Sequence, residues 1–384
     1  MRTIYFDYNA TTPLDPGVRE AMLPFLGEIF GNPSSVHHVG RRARSLLDDA
    51  RDRVAKVWGS KPSEVVFTSG GTESNNLALC GAARLLKSKG RHIITSRVEH
   101  HAVLHTCEYL AKKEDFEVNY LPVNNEGLVS PEELKAALRP DTILVSIMAA
   151  NNETGTIQPV SELGKICRER GVLFHTDAVQ AFGKEPFESI HQFNADLVSV
   201  CAHKFHGPKG AGALFIRSPL LPDPILFGGG HENERRAGTE NLANVIGFTE
   251  ATEKFIKDPI FQPAKVEPLT NRLISLLDKL RPLGTVFRGA LDHRLTNTVA
   301  FTVKGCDSIA LLAGLDLEGV CASSGSACSA GSLEPSHVIL AMGVAKDEAN
   351  SLVRFSLGRE STLEEVEEVE KVLPDVIERV QRFQ

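Results

Sequence analysis

Between Asp196 and Gly212 the chain reads Asp-Leu-Val-Ser-Val-Cys201-Ala-His203-Lys204-Phe-His206-Gly-Pro-Lys-Gly210-Ala-Gly, an apolar run that ends in cysteine, histidine and lysine before a glycine-rich stretch. A lysine buried at a strand end is costly unless its amine is neutralised or covalently used, so Lys204 is a candidate for chemistry. The same residue in an open loop is an ordinary surface lysine, and both readings stand on this segment alone. Four other segments carry comparable groups. Thr68-Ser-Gly-Gly71-Thr72-Glu73-Ser-Asn75 puts a glycine turn before a helix start, where backbone N–H groups and the Thr72 hydroxyl can receive a phosphate, or Thr72 can simply cap the helix. Glu99-His100-His101-Ala-Val-Leu-His105 has two histidines four apart, but the glutamate does not follow the first of them as in a zinc helix. His100, just after Ile93-Ile-Thr-Ser96, can instead offer a flat ring to a planar ligand. Asn151-Asn152-Glu-Thr-Gly155 and His175-Thr-Asp177-Ala-Val-Gln180 also follow apolar runs; a half-buried carboxylate such as Asp177 needs a cationic partner unless it is a plain N-cap.

These groups act together only if one scaffold sets them side by side. Short apolar runs at 65–68, 92–95, 117–120, 142–147, 172–175, 197–201 and 213–216 predict seven strands, with helical stretches such as 76–86 and 162–170 between most of them. That alternation predicts an α/β fold with a mostly parallel sheet covered on both faces. Sites in such sheets form beyond the strands' C-terminal ends, where all five segments fall. After a helical stretch at 241–256, Asp258-Pro-Ile-Phe-Gln-Pro263 marks a boundary; a helix at 269–280, strands at 298–303 and 353–357 and a terminal helix from Leu363 then predict a smaller α+β domain. The expected division is 16–257 for the large domain, with 1–15 and 258–384 forming the small one. A lysine, a carboxylate on the adjacent strand, a phosphate-binding helix end and a stacking histidine specify a flat, phosphorylated ligand, cationic at a ring nitrogen and able to form a Schiff base. Pyridoxal 5′-phosphate answers that description.

Composition bounds the alternatives. With 384 residues, 42% apolar and 24% charged, the chain can bury a large core. A net charge of −7 gives no broad basic field, so direct nucleic-acid binding is not expected. The N-terminus lacks an apolar signal core and no run approaches the roughly 20 apolar residues of a membrane span, so a cytoplasmic protein with no membrane contact is expected. Seven cysteines without a Cys-x-x-Cys pair suggest neither a disulfide framework nor a metal site.

Thr68 to Asn75, Asn151 to Gly155, His175 to Gln180, Ala202 to Gly210 and Ser324-Gly-Ser-Ala-Cys328 closely resemble the corresponding motifs of the cysteine desulfurases. The chain is similar to the NifS and IscS type, in class V of the fold-type I aminotransferases. The resemblance runs from Tyr5 to Arg359, about 90% of the chain. It implies an aspartate aminotransferase-like fold with a pyridoxal phosphate cofactor. Lys204 would carry the cofactor and shuttle the substrate Cα proton, Asp177 would pair with the pyridine nitrogen, and His100 would stack on the ring and serve as acid and base. Gln180 and Asn152 would lie near the ring oxygen, with Asn152 also near the substrate. Gly71, Thr72 and His203 would hold the phosphate, joined by Cys201, a weaker donor where relatives usually have serine. Thr239 would reach the phosphate held by the other subunit, which implies a homodimer. Arg354 would grip the carboxylate of L-cysteine. Cys328, on a small and polar loop at about 322–336, would take sulfur from L-cysteine as a persulfide, leaving alanine, and pass it to an acceptor such as an iron–sulfur scaffold. Relatives of the housekeeping type carry a longer tail that docks such a scaffold, so this partner is the less determined expectation. Cys321 is expected to be structural. A selenocysteine lyase or another class V enzyme is the rival reading, and Cys328 separates them.

Overall fold

The computed structural model describes residues 3–258, 260, 262–325 and 334–382. Its strands are β1 (Ile4–Tyr5), β2 (Val65–Thr68), β3 (His92–Ser96), β4 (Glu117–Leu121), β5 (Thr142–Ser146), β6 (Leu173–Asp177), β7 (Leu197–Cys201), β8 (Gly212–Ile216), β9 (Thr285–Arg288), β10 (Thr298–Val303), β11 (Val320–Cys321) and β12 (Val353–Ser356). Seven form one sheet in the order β2-β8-β7-β6-β5-β3-β4. β3 to β7 are mutually parallel, and β8 runs antiparallel to both its neighbours. Two antiparallel steps return β2 to the direction of β7, so Thr68, Ser96, Ser146, Asp177 and Cys201 all end on one edge.

Residue type explains each strand's place. β5, Thr-Ile-Leu-Val-Ser, is buried throughout because helices cover both faces of the sheet. β4 lies at the edge, where Glu117 and Asn119 reach solvent while Leu121 is buried. The helix Gly71–Leu86 packs onto the sheet through Leu77, Ala78, Ala82 and Ala83. The helix His38–Trp58 buries Ala43, Leu47, Ala50, Val54 and Trp58, a three- and four-residue spacing, and ends at Gly59, whose φ of 66° favours glycine.

The remaining strands form a three-stranded antiparallel sheet, β12-β10-β9, and a parallel pair, β1-β11. The terminal helix Leu363–Arg382 turns Val366, Val369, Leu373, Val376, Ile377 and Val380 inward. One apolar cluster is continuous through both parts and includes Phe6, Trp58, Phe205, Phe301 and Phe355. The N-terminal segment crosses between them: Ile4 and Tyr5 pair with β11, and Asp7 bridges to Ser356.

All seven expected strands of the large sheet form. Three details differ. Asp177 belongs to β6 as its last residue, two beyond the predicted end. Thr72 does not cap its helix: Gly70 is the N-cap, with φ 152°, and Gly71 opens the helix. The helix expected from Leu269 starts at Pro263, a residue suited to a first turn because it has no N–H to leave unpaired.

Candidate active site

A cavity of about 180 Å³ opens beyond the shared strand edge. It brings together Gly71, Thr72, His100, Asn152, Asp177, Gln180, Cys201, His203, Lys204 and Arg354. Thr239 is not among them; it lines a separate hollow with Ser69, Gly212 and Arg236. Cys328 lies outside the described residues.

β7 and the short turn Ala202–Lys204 deliver Lys204 to the cavity. It is no surface loop lysine: Nζ donates to the main-chain oxygens of Asn9 at 2.6 Å and Ala10 at 2.9 Å. Two carbonyl acceptors aim the amine. Next to it, burial and the charge of Lys204 push His203 down to about 3, so the imidazole is neutral and its Nδ1 meets Thr11 Oγ1 at 3.2 Å. Cys201 is buried in the same wall, and that burial raises its thiol above the ordinary range.

Asp177 ends β6 with its carboxylate buried. Asn75 Nδ2 donates to Oδ2 at 2.6 Å and the Val179 amide to Oδ1 at 3.0 Å. Those neutral donors orient the carboxylate and leave its charge for a cation in the cavity. Behind it, His175 bridges Ser146 Oγ at 2.8 Å and Ser199 Oγ at 3.0 Å, tying three adjacent strands. Burial alone takes His175 down to about 3, so this link is neutral.

His100 caps the helix His101–Glu114, its Nδ1 accepting from the Ala102 amide at 3.1 Å. That bond assigns the ring proton to Nε2. The preceding Glu99 is fully buried; Ser96 Oγ donates to it at 2.6 Å and the Met148 amide at 3.0 Å. Burial, with the nearby Asp177, pushes its carboxyl up to about 8. Of the two neighbouring asparagines, Asn151 is structural: its Oδ1 accepts from the amides of Glu153 and Thr154 and shapes the turn. Asn152 is the one that lines the cavity.

The phosphate cradle is a matter of space. A Cβ on Gly71 would lie 2.7 Å from Val179 Cγ2, and one on Gly212 would lie 2.7 Å from the Gly70 Cα, so glycine permits the close approach of helix, sheet and turn. The N-terminus of a sixteen-residue helix therefore faces the cavity with Thr72 in its first turn. Opposite, β12 supplies Arg354, buried to 1% exposure. Its Nη2 pairs with Asp7 Oδ1 at 2.7 Å, while Nη1 donates to the oxygens of Asn152 at 2.8 Å and Gly325 at 2.9 Å. Nε is buried and has no hydrogen-bond partner among the described residues.

An aimed amine, an oriented carboxylate, a helix N-terminus and an imidazole ring around one hollow are the donor set that pyridoxal phosphate requires. The sequence of this chain also aligns with the class V aminotransferase profile (Aminotransferase class-V) over residues 4–369. A protein of Dictyoglomus turgidum named cysteine desulfurase IscS is 49% identical over 379 residues, 99% of this chain and 95% of that protein. A putative cysteine desulfurase IscS 1 of Bacillus subtilis is 44% identical, covering 99% and 100%. The solved structure of a NifS-like protein superposes over 100% of both chains with a TM-score of 0.89 at 39% identity.

The chain belongs to the cysteine desulfurases of the class V aminotransferase family. That is a family of pyridoxal phosphate enzymes acting on cysteine. The described residues on either side of the Cys328 stretch are tied to Arg354, which lines the cavity, and to Glu153. Ser323 bridges to Arg354, Gly325 accepts from Arg354, and Ser336 Oγ donates to Glu153. A Cβ on Gly325 would meet that same Glu153 carboxylate at 3.2 Å.

Sequence reasoning missed Asn9, Asn75, Glu99 and Lys184, all buried. Asn75 had a signal, since it lies four residues after Gly71 and so shares its helical face. Asn9 and Lys184 had none, because they act from outside the strand ends. Among the described residues no helix is long and apolar enough to cross a membrane.

Proposed function

We propose that this chain is a pyridoxal phosphate-dependent cysteine desulfurase, a sulfurtransferase that converts L-cysteine to L-alanine and leaves the sulfur as a persulfide on Cys328. The observation that carries the reading is the convergence of Lys204, Asp177, His100 and the helix end at Gly71 on one cavity, with the flanks of the Cys328 segment anchored at its rim. When bound, the cofactor supplies a sink for the electron pair left at the substrate Cα.

The residues divide the remaining work. Lys204 would hold the cofactor through its amine and would take the proton from the substrate Cα. Asp177 would face the pyridine nitrogen, and Gly71, Thr72, Cys201 and His203 would hold the phosphate. His100 would lie beside the ring, and its Nε2 would handle protons at the substrate. Arg354 and Asn152 would position the substrate carboxylate, for which Arg354 Nε, without a partner among the described residues, is suited. The Cys328 thiolate attacks the substrate sulfur, the carbon–sulfur bond breaks, and protonation of the carbon yields alanine.

The same reading makes the protein a cytoplasmic homodimer with 16–257 as its cofactor-binding domain and 1–15 with 258–384 as the smaller one. Thr239 sits away from its own cavity, as a residue serving the other subunit must, and Leu26, Phe30, Val36 and Phe227 are exposed at 68, 80, 87 and 83%, a surplus of apolar surface that a second copy can cover. Sulfur leaves Cys328 for an acceptor thiol, most directly that of an iron–sulfur cluster assembly partner. Purified protein should be yellow and, with L-cysteine and a reductant, should release alanine and sulfide in equal amounts. A colourless protein, or alanine without sulfide, contradicts the proposal.

A further inference from the structure

A second lysine, buried to 3% exposure, sits behind the cavity and takes no part in the steps above. Lys184 Nζ donates to Gln180 Oε1 at 2.6 Å and to Asn9 Oδ1 at 2.7 Å. Both amides are held in one orientation. Gln180 Nε2 donates to the Asn9 main-chain oxygen at 2.9 Å, and Asn9 Nδ2 donates to Thr298 Oγ1 at 2.9 Å and to the Asn152 oxygen at 3.3 Å. A carbonyl oxygen only accepts, so each amide turns its nitrogen toward it and its oxygen toward Lys184, which donates in either protonation state. The Asn9 main-chain oxygen that receives Gln180 also receives Lys204 Nζ. The two lysines are thus linked through Gln180 and a single carbonyl. With one hydrogen given to the Asn9 oxygen and its own oxygen turned to Lys184, Gln180 presents its second N–H to the cavity it lines, so toward a ligand it acts as a donor.

We propose that Lys184 is a positioning residue: it holds Gln180 as a hydrogen-bond donor toward the ring oxygen of the cofactor and thereby sets the acid–base midpoint of the linkage between cofactor and Lys204. Burial lowers the Lys184 amine well below the ordinary lysine range, in keeping with an interior group used for geometry. A donor at the ring oxygen stabilises its anionic form and opposes protonation of the neighbouring linkage. Losing that donor therefore raises the midpoint.

This inference rests on the cofactor assignment made above, and its test separates the two. The visible band of the loaded protein is titrated from neutral to alkaline pH in wild type, Lys184→Met, Gln180→Ala and the double variant, each confirmed as folded by circular dichroism. Wild type without a visible band overturns the cofactor assignment. With a band present, Lys184→Met should raise the midpoint by about half to one pH unit, the size of one lost hydrogen bond. Gln180→Ala should do the same, and the double variant should move no further than either single one. An unchanged midpoint in loaded Lys184→Met overturns the inference, and so does a double variant that shifts by the sum of the two. Where Lys184→Met does not fold, Lys184→Gln is read by the same outcomes.

Discussion

The sheet edge and the opposite rim of the cavity are built in different ways. At the edge, five strands end side by side and each group is fixed by short neutral links: two carbonyls hold Lys204, an asparagine and an amide hold Asp177, and a serine–histidine–serine bridge ties the strands behind them. At the rim, β12 contributes one arginine, and the chain leading to Cys328 is anchored through it and through Glu153. The edge holds its lysine and carboxylate by short hydrogen bonds to neutral groups, whereas the rim spends Arg354 largely on the protein's own backbone and Asp7. On the proposed function the contrast separates two tasks: the edge would prepare a cofactor, and the rim would select the carboxylate and the sulfur.

Substitutions on the two sides should therefore fail differently. Lys204→Ala should have the largest effect, lowering desulfuration by about 10⁴-fold or more, with cofactor lost on dialysis. Cys328→Ser should lower sulfide release by about 10³-fold while the visible band and its response to L-cysteine survive; loss of that band would erase the proposed separation. Arg354→Lys, which gives up the planar fork, should lower kcat/KM by roughly 10- to 100-fold, mostly through KM, with cofactor affinity unchanged. An effect mostly on kcat would assign Arg354 to the edge.

The smallest effect concerns stability. Glu99, with a carboxyl near 8 against an ordinary 4.5, keeps in the fold a proton that the unfolded chain has released. Stability should therefore fall as pH rises between these values, by about 1.4 kcal/mol per pH unit at most, and level off above about 8. Glu99→Gln removes that titration. Its Tm relative to wild type should rise between about pH 5 and pH 8; a constant difference would mean that Glu99 is ionised throughout.

Much of the edge was legible in sequence because covered strands read as continuous apolar runs, and chemistry-bearing residues sit just past their ends. Thr298 to Val303 was predicted to its exact ends for the same reason, being buried throughout. β1, β9 and β11 were not legible: β1 and β11 are two residues each, and β9 is only partly buried, so they are defined by their partners more than by their own pattern. The hydrogen-bonding hub at Asn9 was invisible for a related reason. Its partners Lys184, Asn297, Thr298 and Ser356 are distant in the chain, and only the fold brings them together. The helix start at Gly70 shows a narrower difference: a threonine in a glycine turn suggests a side-chain cap, but the cap position takes a φ of 152° that favours glycine, so Gly70 stands there instead.

The central claim is that the edge and the rim meet in one event, the transfer of sulfur from L-cysteine to Cys328. Loaded protein treated with L-cysteine without reductant, digested and mapped by mass spectrometry, tests it directly. The account predicts one added sulfur atom on the peptide containing Cys328, absent in Lys204→Ala, with one alanine released per modified chain. Sulfur found on another cysteine, or alanine released with Cys328 unmodified, would contradict it.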